Sequence, residues 1–345
     1  MNIFFKTLFF LCVLLVQQLY AQQRDYRDYF RLCNEALRFQ VTGETETAIT
    51  FYEKAFSEQV PFLEDLDKLK ACYKLMDDTN MIMSVWKRKI LTGFTRTNIS
   101  YLITLEYPLL MEWNANIPQD EQSIFERINY DSLHQIFMLK NINVEKDRYM
   151  QALITSECFS GNMRQYYRDN PDEIKKYCSQ MTCITDFIGT VSYVNNGRLF
   201  IALAKSGFLP SRAETAWWED TKMYYLLEHI AASLQGQELD TFLNILWSHV
   251  EVGDITPEQY ASMFDVSRHG TFEDSGYYGC VAVFSDDVDY DKLDFTRPIQ
   301  EQLQMQIVTP RDVENVDKRR AEIYLPPLWV SAKQKNMILP KSYKP

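Results

Sequence analysis

Glycine and proline are scarce, at 11 and 12 of 345 residues, which excludes collagen-like and loop-dominated architectures. Seven cysteines are too few for a disulfide-stapled miniprotein of this length. Basic residues are outnumbered by acidic ones, 36 to 47. The net charge of −11 argues against a nucleic-acid coat and disfavours adhesion to an anionic membrane surface. The sequence has no H-E-x-x-H, glycine-rich phosphate loop, G-x-S-x-G elbow or dinucleotide fingerprint. No metal site and no cofactor is implied. What is present is 46% hydrophobic, 14% aromatic and 24% charged, the composition of a folded chain. Its length suits about two domains.

The N-terminus reads as an address. Met1–Ala21 holds one cation, Lys6, and no acid, and Leu8–Val16 is an unbroken apolar run. As a helix that run rises ~14 Å, against a hydrocarbon core of ~30 Å. Leu19-Tyr20-Ala21 offers a small-residue cleavage point before Gln22. A removed signal peptide over residues 1–21 is expected, giving a secreted or periplasmic protein with no membrane insertion afterwards. The alternative is an uncleaved N-terminal membrane anchor. Loss of Lys6 takes the net charge from −11 to −12 and leaves Cys33, Cys72, Cys158, Cys178, Cys183 and Cys280. An even number in an oxidising compartment permits several disulfide pairings, which the sequence does not choose between. Cys178 and Cys183 have neither redox-pair nor zinc half-site spacing, so buried or structural cysteines are expected.

From Gln22 onward the apolar spacing is helical. Tyr29, Phe30, Cys33, Ala36 and Leu37 mark one helical face, Thr42-Gly43 breaks it, and Ala48, Ile49, Tyr52, Ala55 and Phe56 mark a second. The stretch from Gly43 to Ala55, with Ala48 and Ala55 at small packing positions and Pro61 beyond, resembles the second half of a tetratricopeptide repeat. Leu63, Leu66, Leu69 and Tyr73, then Met83, Trp86 and Ile90, suggest a degenerate second hairpin, so residues 22–95 form tetratricopeptide-like helical hairpins. Residues 96–182 read as an irregular helical connector. Pro108 ends or bends a helix, and Asn170-Pro171-Asp172 signals a loop within 158–182.

Residues 183–332 read as a second helical domain with a tail at 333–345. Lys222–Leu234 carries Met223, Leu226, Leu227, Ile230, Ala231 and Leu234 in one stripe, with His229 projecting ~130° from its centre. Gly236 is expected to close this helix, and Asp240 to cap a next one that buries Phe242, Leu243, Leu246, Trp247 and Val250. Thr256-Pro257-Glu258-Gln259 has the form of a capping box with proline at the first helical position. Thr309-Pro310-Arg311-Asp312 suggests the same start for a helix to about Glu322, and Tyr277–Phe284 and Leu303–Val308 suggest short strands. The fold class expected is mainly α.

A set of short motifs follows in order: Gly207-Phe-Leu-Pro210, Leu227-Glu-His229, Gly253-Asp-Ile-Thr-Pro257, Tyr260-Ala261, Phe264-Asp265, Tyr278-Gly279, Pro298-Ile299, and Val316 to Arg320 followed by Leu325-Pro-Pro-Leu328. Together they resemble a bacterial domain-of-unknown-function family, number 6624, over about residues 185–330. The resemblance implies a mostly helical domain without an established activity. It points to His229, Asp265, Tyr278, Gly279, Arg319 and Arg320. The chain departs from the family pattern at Val266, Cys280-Val281, Glu228 and Tyr324, so family chemistry could be lost or changed here.

Each candidate has a structural counterpart. His229, as an imidazole, could be a general base or ligand donor, or else an interface histidine beside Tyr225. Asp265 could orient it or could satisfy loop amides. Arg319 and Arg320 could clamp an anion or complement the end of a helix. Tyr278-Gly279 could admit a ligand to the backbone or mark a bend. Asp287, Asp289 and Asp291 have calcium-loop spacing, but Lys292 stands where that loop needs glycine, so a solvated acidic loop is expected. His249 and His269 lack metal-ligand spacing, and His249 is expected to be packed beside Trp247. Two functions follow. The first is an exported binding or scaffold protein holding a protein, peptide or cell-envelope ligand, and not a nucleic acid. The alternative is a hydrolase-like enzyme using His229, Asp265 and Arg320, or a degenerate member that only binds.

Overall fold

The computed structural model describes residues 24–94, 117–141, 143, 145–146, 149–150, 153–154, 181–215, 218, 221–268, 276–280, 282–284 and 305–345. The fold is mainly α, and no helix among the described residues is long and apolar enough to cross a membrane. The leader, the turn at Asn170-Pro171, Pro108, the acidic run at 286–291, His269 and the side chains of Cys158, Cys178 and Cys183 lie outside the described residues.

Two hairpins open the chain: α1 (Arg27–Thr42) with α2 (Thr45–Glu58), and α3 (Leu63–Leu75) with α4 (Thr79–Thr92). Alanine at 36, 48 and 55, each with no exposed surface, lets α1 and α2 approach closely while Tyr29 and Tyr52 fill the seam. Gly43 takes φ 91° at the end of α1, where Gly43 N donates to Gln40 O and Glu44 N to Phe39 O. Those two bonds satisfy carbonyls that the helix leaves open. Asp78 caps α4 by accepting from Met81 N at 3.1 Å. Leu66, Leu69 and Ile90 lie wholly inside, each stabilising by about 2 kcal/mol.

A short segment follows, with α5 (Gln122–Phe125) and then α6 (Tyr130–Asn141) against α4. Glu121 fastens it. Its carboxylate accepts from Trp86 Nε1 at 2.7 Å and pairs with Lys70 and Lys74 at 3.0 and 2.8 Å. Lys70 and Lys89 also lie over the Trp86 ring, 4.2 and 4.7 Å from its centroid. Buried charge is tolerable here because every charge has an opposite partner or a ring face.

The second half contains α7 (Met181–Lys205), α8 (Thr221–Ser233), α9 (Gly236–Glu251) and α10 (Pro257–Arg268). Gly197 of α7 lies under Ile230 and Leu234, close enough that a Cβ would stand 2.9 Å from Ile230. The capping box before α10 forms reciprocally, with Thr256 N to Gln259 Oε1 at 2.8 Å and Gln259 N to Thr256 Oγ1 at 3.1 Å. Two expected boundaries are corrected. Gly236 opens α9 instead of closing α8, which leaves Asp240 inside the helix and not at its cap. Thr309-Pro310 stays non-helical, Asp312 turns to φ 47°, and the helix starts only at α11 (Val316–Glu322), followed by α12 (Leu328–Gln334). The strands shrink to an antiparallel ribbon of β1 (Ala282–Phe284) and β2 (Met305–Ile307), with Ala282 opposite Ile307.

Arg212 joins the two halves. It is 5% exposed, with Nε donating to Gly253 O, Nη1 to Pro61 O, and Nη2 to Val60 O and Tyr26 Oη, all within 2.7–3.1 Å. Its guanidinium lies 3.9 Å from the Phe62 ring centroid, and its backbone N–H donates to Asp254 Oδ1 at 2.6 Å. The other oxygen of Asp254 bonds to His249 Nδ1 at 2.7 Å, while the His249 ring packs on Trp218. Gly253, at φ 74°, leaves room for Tyr26, whose ring would stand 2.3 Å from a Cβ there.

Two outcomes are expected in urea unfolding at neutral pH. Arg212→Ala removes about 4 kcal/mol, because four buried acceptors lose one shared donor group. Gly253→Ala costs more than Gly43→Ala, where φ is equally left-handed (91°) but nothing stands within 4 Å. The strain common to both is about 1 kcal/mol, and the Tyr26 clash adds to it only at position 253.

Candidate functional site

Five of the six residues suggested by the family resemblance meet in one place. Asp265, wholly buried on α10, turns both carboxylate oxygens to the backbone of the loop at 276–280. It accepts from Tyr277 N at 2.7 Å, Tyr278 N at 3.0 Å and Cys280 N at 3.0 Å. From the other side, Arg319 Nε donates to Tyr277 O at 3.1 Å and Arg320 Nη1 to Tyr278 O at 2.8 Å. Arg319 also donates to Arg311 O and Asp312 O, and Arg320 to Pro326 O and to Ser331 Oγ. Gly276 is required, since a Cβ would stand 2.6 Å from Asp265 Oδ2. Gly279, at φ 70°, lies under Pro310 and Leu328. The carboxylate gathers amides and the guanidiniums gather carbonyls, so these charges fix an irregular loop that no sheet or helix could satisfy.

His229 faces elsewhere. Its ring stacks on Tyr193 of α7, with centroids 4.6 Å apart and planes inclined by 29°. Tyr224, five residues earlier, bonds to Ser262 of α10 at 2.8 Å. Five residues turn a helix by ~140°, so the histidine lies on the α7 side of α8 and the tyrosine on the α10 side. His229 thus takes part in a ring stack and Asp265 in a loop clasp.

A polar seam runs where the hairpins meet the C-terminal helices. Tyr29 Oη donates to Asp65 Oδ2 at 2.8 Å and accepts from Phe62 N at 3.0 Å. Lys68 pairs with Asp65 at 2.9 Å and Glu64 at 3.1 Å, while Glu258 pairs with Lys335. Burial alone would raise the Glu258 pKa, but the ammoniums of Lys335 and Lys68 outweigh it and hold the carboxyl at about 2. Burial pushes the Cys33 thiol well up and the Cys280 thiol up to about 12, which makes both poor nucleophiles. Cys33, Cys72 and Cys280 are free thiols. Tyr324, at φ 61°, stacks between Phe30 and Trp247, and its carbonyl accepts from Asn34 Nδ2 at 2.7 Å. The seam encloses about 50 Å³ beside Cys33, Lys68 and Glu258. That volume holds a few waters and falls far below the ~300 Å³ at which small-molecule sites begin.

An open groove of about 470 Å³ lies on the hairpins, bounded by Phe56–Pro61 at the end of α2 and by Arg88, Leu91 and Thr92 at the end of α4. Its rim is accessible and mixed: Val60 and Leu91, 55% and 40% exposed, stand beside Ser57, Glu58, Gln59, Arg88 and Thr92. Arg88 reaches Glu53 at 2.8 Å. Among the described residues no group of three or more His, Cys, Asp or Glu side chains is placed to hold a metal ion. No family model, curated protein or solved structure matches the chain.

Arg212 and Glu121 do structural work that no sequence pattern announces, because their partners come from distant segments. The clasp and the seam make separate expectations. Asp265→Asn lowers unfolding stability by about 3 kcal/mol, whereas His229→Ala changes it by about 1 kcal/mol or less, both read by urea titration. Glu258, near 4.5 when unfolded and about 2 when folded, contributes stability fully above pH 4.5. That contribution shrinks as pH falls from 4.5 to 2, so Glu258→Gln flattens the stability profile over that window in thermal scans.

Proposed function

We propose that this chain is an exported helical binding or scaffold protein, and that the groove between the ends of α2 and α4 holds a peptide or protein segment. The volume and exposure of that groove carry the reading. At about 470 Å³ it falls in the range of ligand sites, while the seam beside α1 and α3 is filled by residues from 256–258 and 324–334 of the same chain. A hydrolase-like function would ask Asp265 and Arg320 to face a substrate, whereas Asp265 accepts from backbone amides and Arg320 donates to two carbonyls and to Ser331 Oγ. Export is supported by the short apolar leader at Leu8–Val16. Buried thiols at Cys33 and Cys72 suit an oxidising compartment, since burial shields them from exchange.

Panning a random-peptide display library on the full chain tests this reading. Enrichment of peptides with apolar side chains is expected. Their affinity should fall at least about tenfold in the double variant Val60→Glu, Leu91→Glu, whose exposed positions leave the core untouched. Failure to enrich above a blank surface, or equal binding to the double variant, overturns it.

A further inference from the structure

Helix α6 is seated through rings. Among the described residues, its buried side chains are Tyr130 and Phe137. Tyr130 packs on Phe125 with centroids 6.1 Å apart, and Phe125 on Trp86 of α4 at 5.1 Å. Phe137 lies beneath the end of α4, where a Cβ at Gly93 would stand 3.1 Å from its ring. Between these two anchors, about one helical turn from each, stands His134. Its ring is nearly parallel to that of Tyr130, 5.3 Å away with planes inclined by 10°, and 6.4 Å from that of Phe137. His134 Nδ1 is shut off from solvent and has no hydrogen-bond partner. The neutral imidazole is best accommodated with its proton on Nε2, which leaves only a lone pair at that buried atom. A second proton would have to enter at Nδ1, giving a charged ring a buried N–H with no acceptor. Burial holds the His134 pKa below the ordinary value near 6.5, against the upward pull of exposed Asp131 one turn earlier. The other charges on the elements packed around α6 are engaged or solvated. Lys89 pairs with Asp67, Arg88 with Glu53, and Glu121 with Lys70 and Lys74, while Lys87, Glu126 and Arg127 are exposed.

We propose that His134 is an acid-sensitive wedge, whose protonation lifts α6 from the end of α4 while the hairpins stay folded. Two buried rings hold this helix, so a penalty at the ring between them is felt by the whole seat. Linkage fixes the direction. The lifted helix takes up the proton with ordinary affinity and the seated one less readily, so seating is fullest above about pH 6.5 and weakens as pH falls below it. The effect has a ceiling: at pH 5, an imidazole of ordinary pKa can shift the opening equilibrium by no more than about thirtyfold. Glu258 acts in a separate window, because its contribution is lost only below pH 4.5. The inference does not rest on the peptide reading of the groove.

Hydrogen exchange of the full chain at about pH 7.5 and about pH 5, corrected for intrinsic exchange, is the test. The amides of residues 130–141 are expected to exchange faster in acid, by up to about thirtyfold, while those of α1 keep their protection. His134→Phe keeps a ring in the stack and takes up no proton, so it should remove the pH response. In the unmodified chain, an NMR titration of the four histidine rings should give His134 a midpoint below about 6.5. Both measurements on the unmodified chain stand without the variant. Unchanged exchange over 130–141, an equal rise in α1, the same pH response in His134→Phe, or a His134 midpoint at or above about 6.5 overturns the proposal.

Discussion

The fold depends on one guanidinium. Arg212 reaches back to Val60, Pro61 and Tyr26 in the hairpins while gripping Gly253 beside it, so two helical halves share a single set of buried bonds. The halves also meet where Tyr26 N donates to Glu251 O and Asn34 Nδ2 to Tyr324 O. Arginine adds to these bonds by satisfying backbone carbonyls across the boundary, a task that its flat five-donor fork suits. The close approach works because Gly253 has no Cβ to meet Tyr26 and because Phe62 offers its ring face to the charge. The same junction takes up His249 through Asp254, so this ring is tied into the scaffold.

The clasp around residues 276–280 follows the same logic. Residues 276–280 have no regular structure, and their buried amides and carbonyls need partners. Asp265 supplies acceptors and Arg319 and Arg320 supply donors. Residues with this role must hold their identity and spacing as strictly as residues of an active site. Their chemistry is the same, and only the partner differs: backbone in one case, substrate in the other. A motif of Asp, Tyr-Gly and Arg-Arg therefore cannot separate the two by itself.

Local order was legible in the sequence because it is written in local terms. Alanine at 36, 48 and 55, Gly43 after a helical stripe, and the Thr256–Gln259 box all form by contacts within a few residues, and the structure shows each of them. Two starts misled. Thr309-Pro310 looks like a helix cap, but Arg311 N is drawn to Gly276 O and Arg319 holds the carbonyls of 311 and 312, so tertiary bonds delay the helix to Val316. Gly236 looks like a terminator, yet its left-handed φ serves the turn into α9. The convergence of Asp265 with Tyr278 and Arg320 was visible as a list of residues and invisible as a geometry. Nothing local tells a carboxylate which amides it will find.

Net charge conceals distribution in the same way. A total of −11 is an average over a chain whose residues 323–345 contain lysine and no acid. Electrostatic contact is made within a screening length of about 10 Å, so the average matters less than which charges share a face. Tyr343 enters a small core against α11 and α12, so the backbone that carries Lys341 and Lys344 is ordered by that burial.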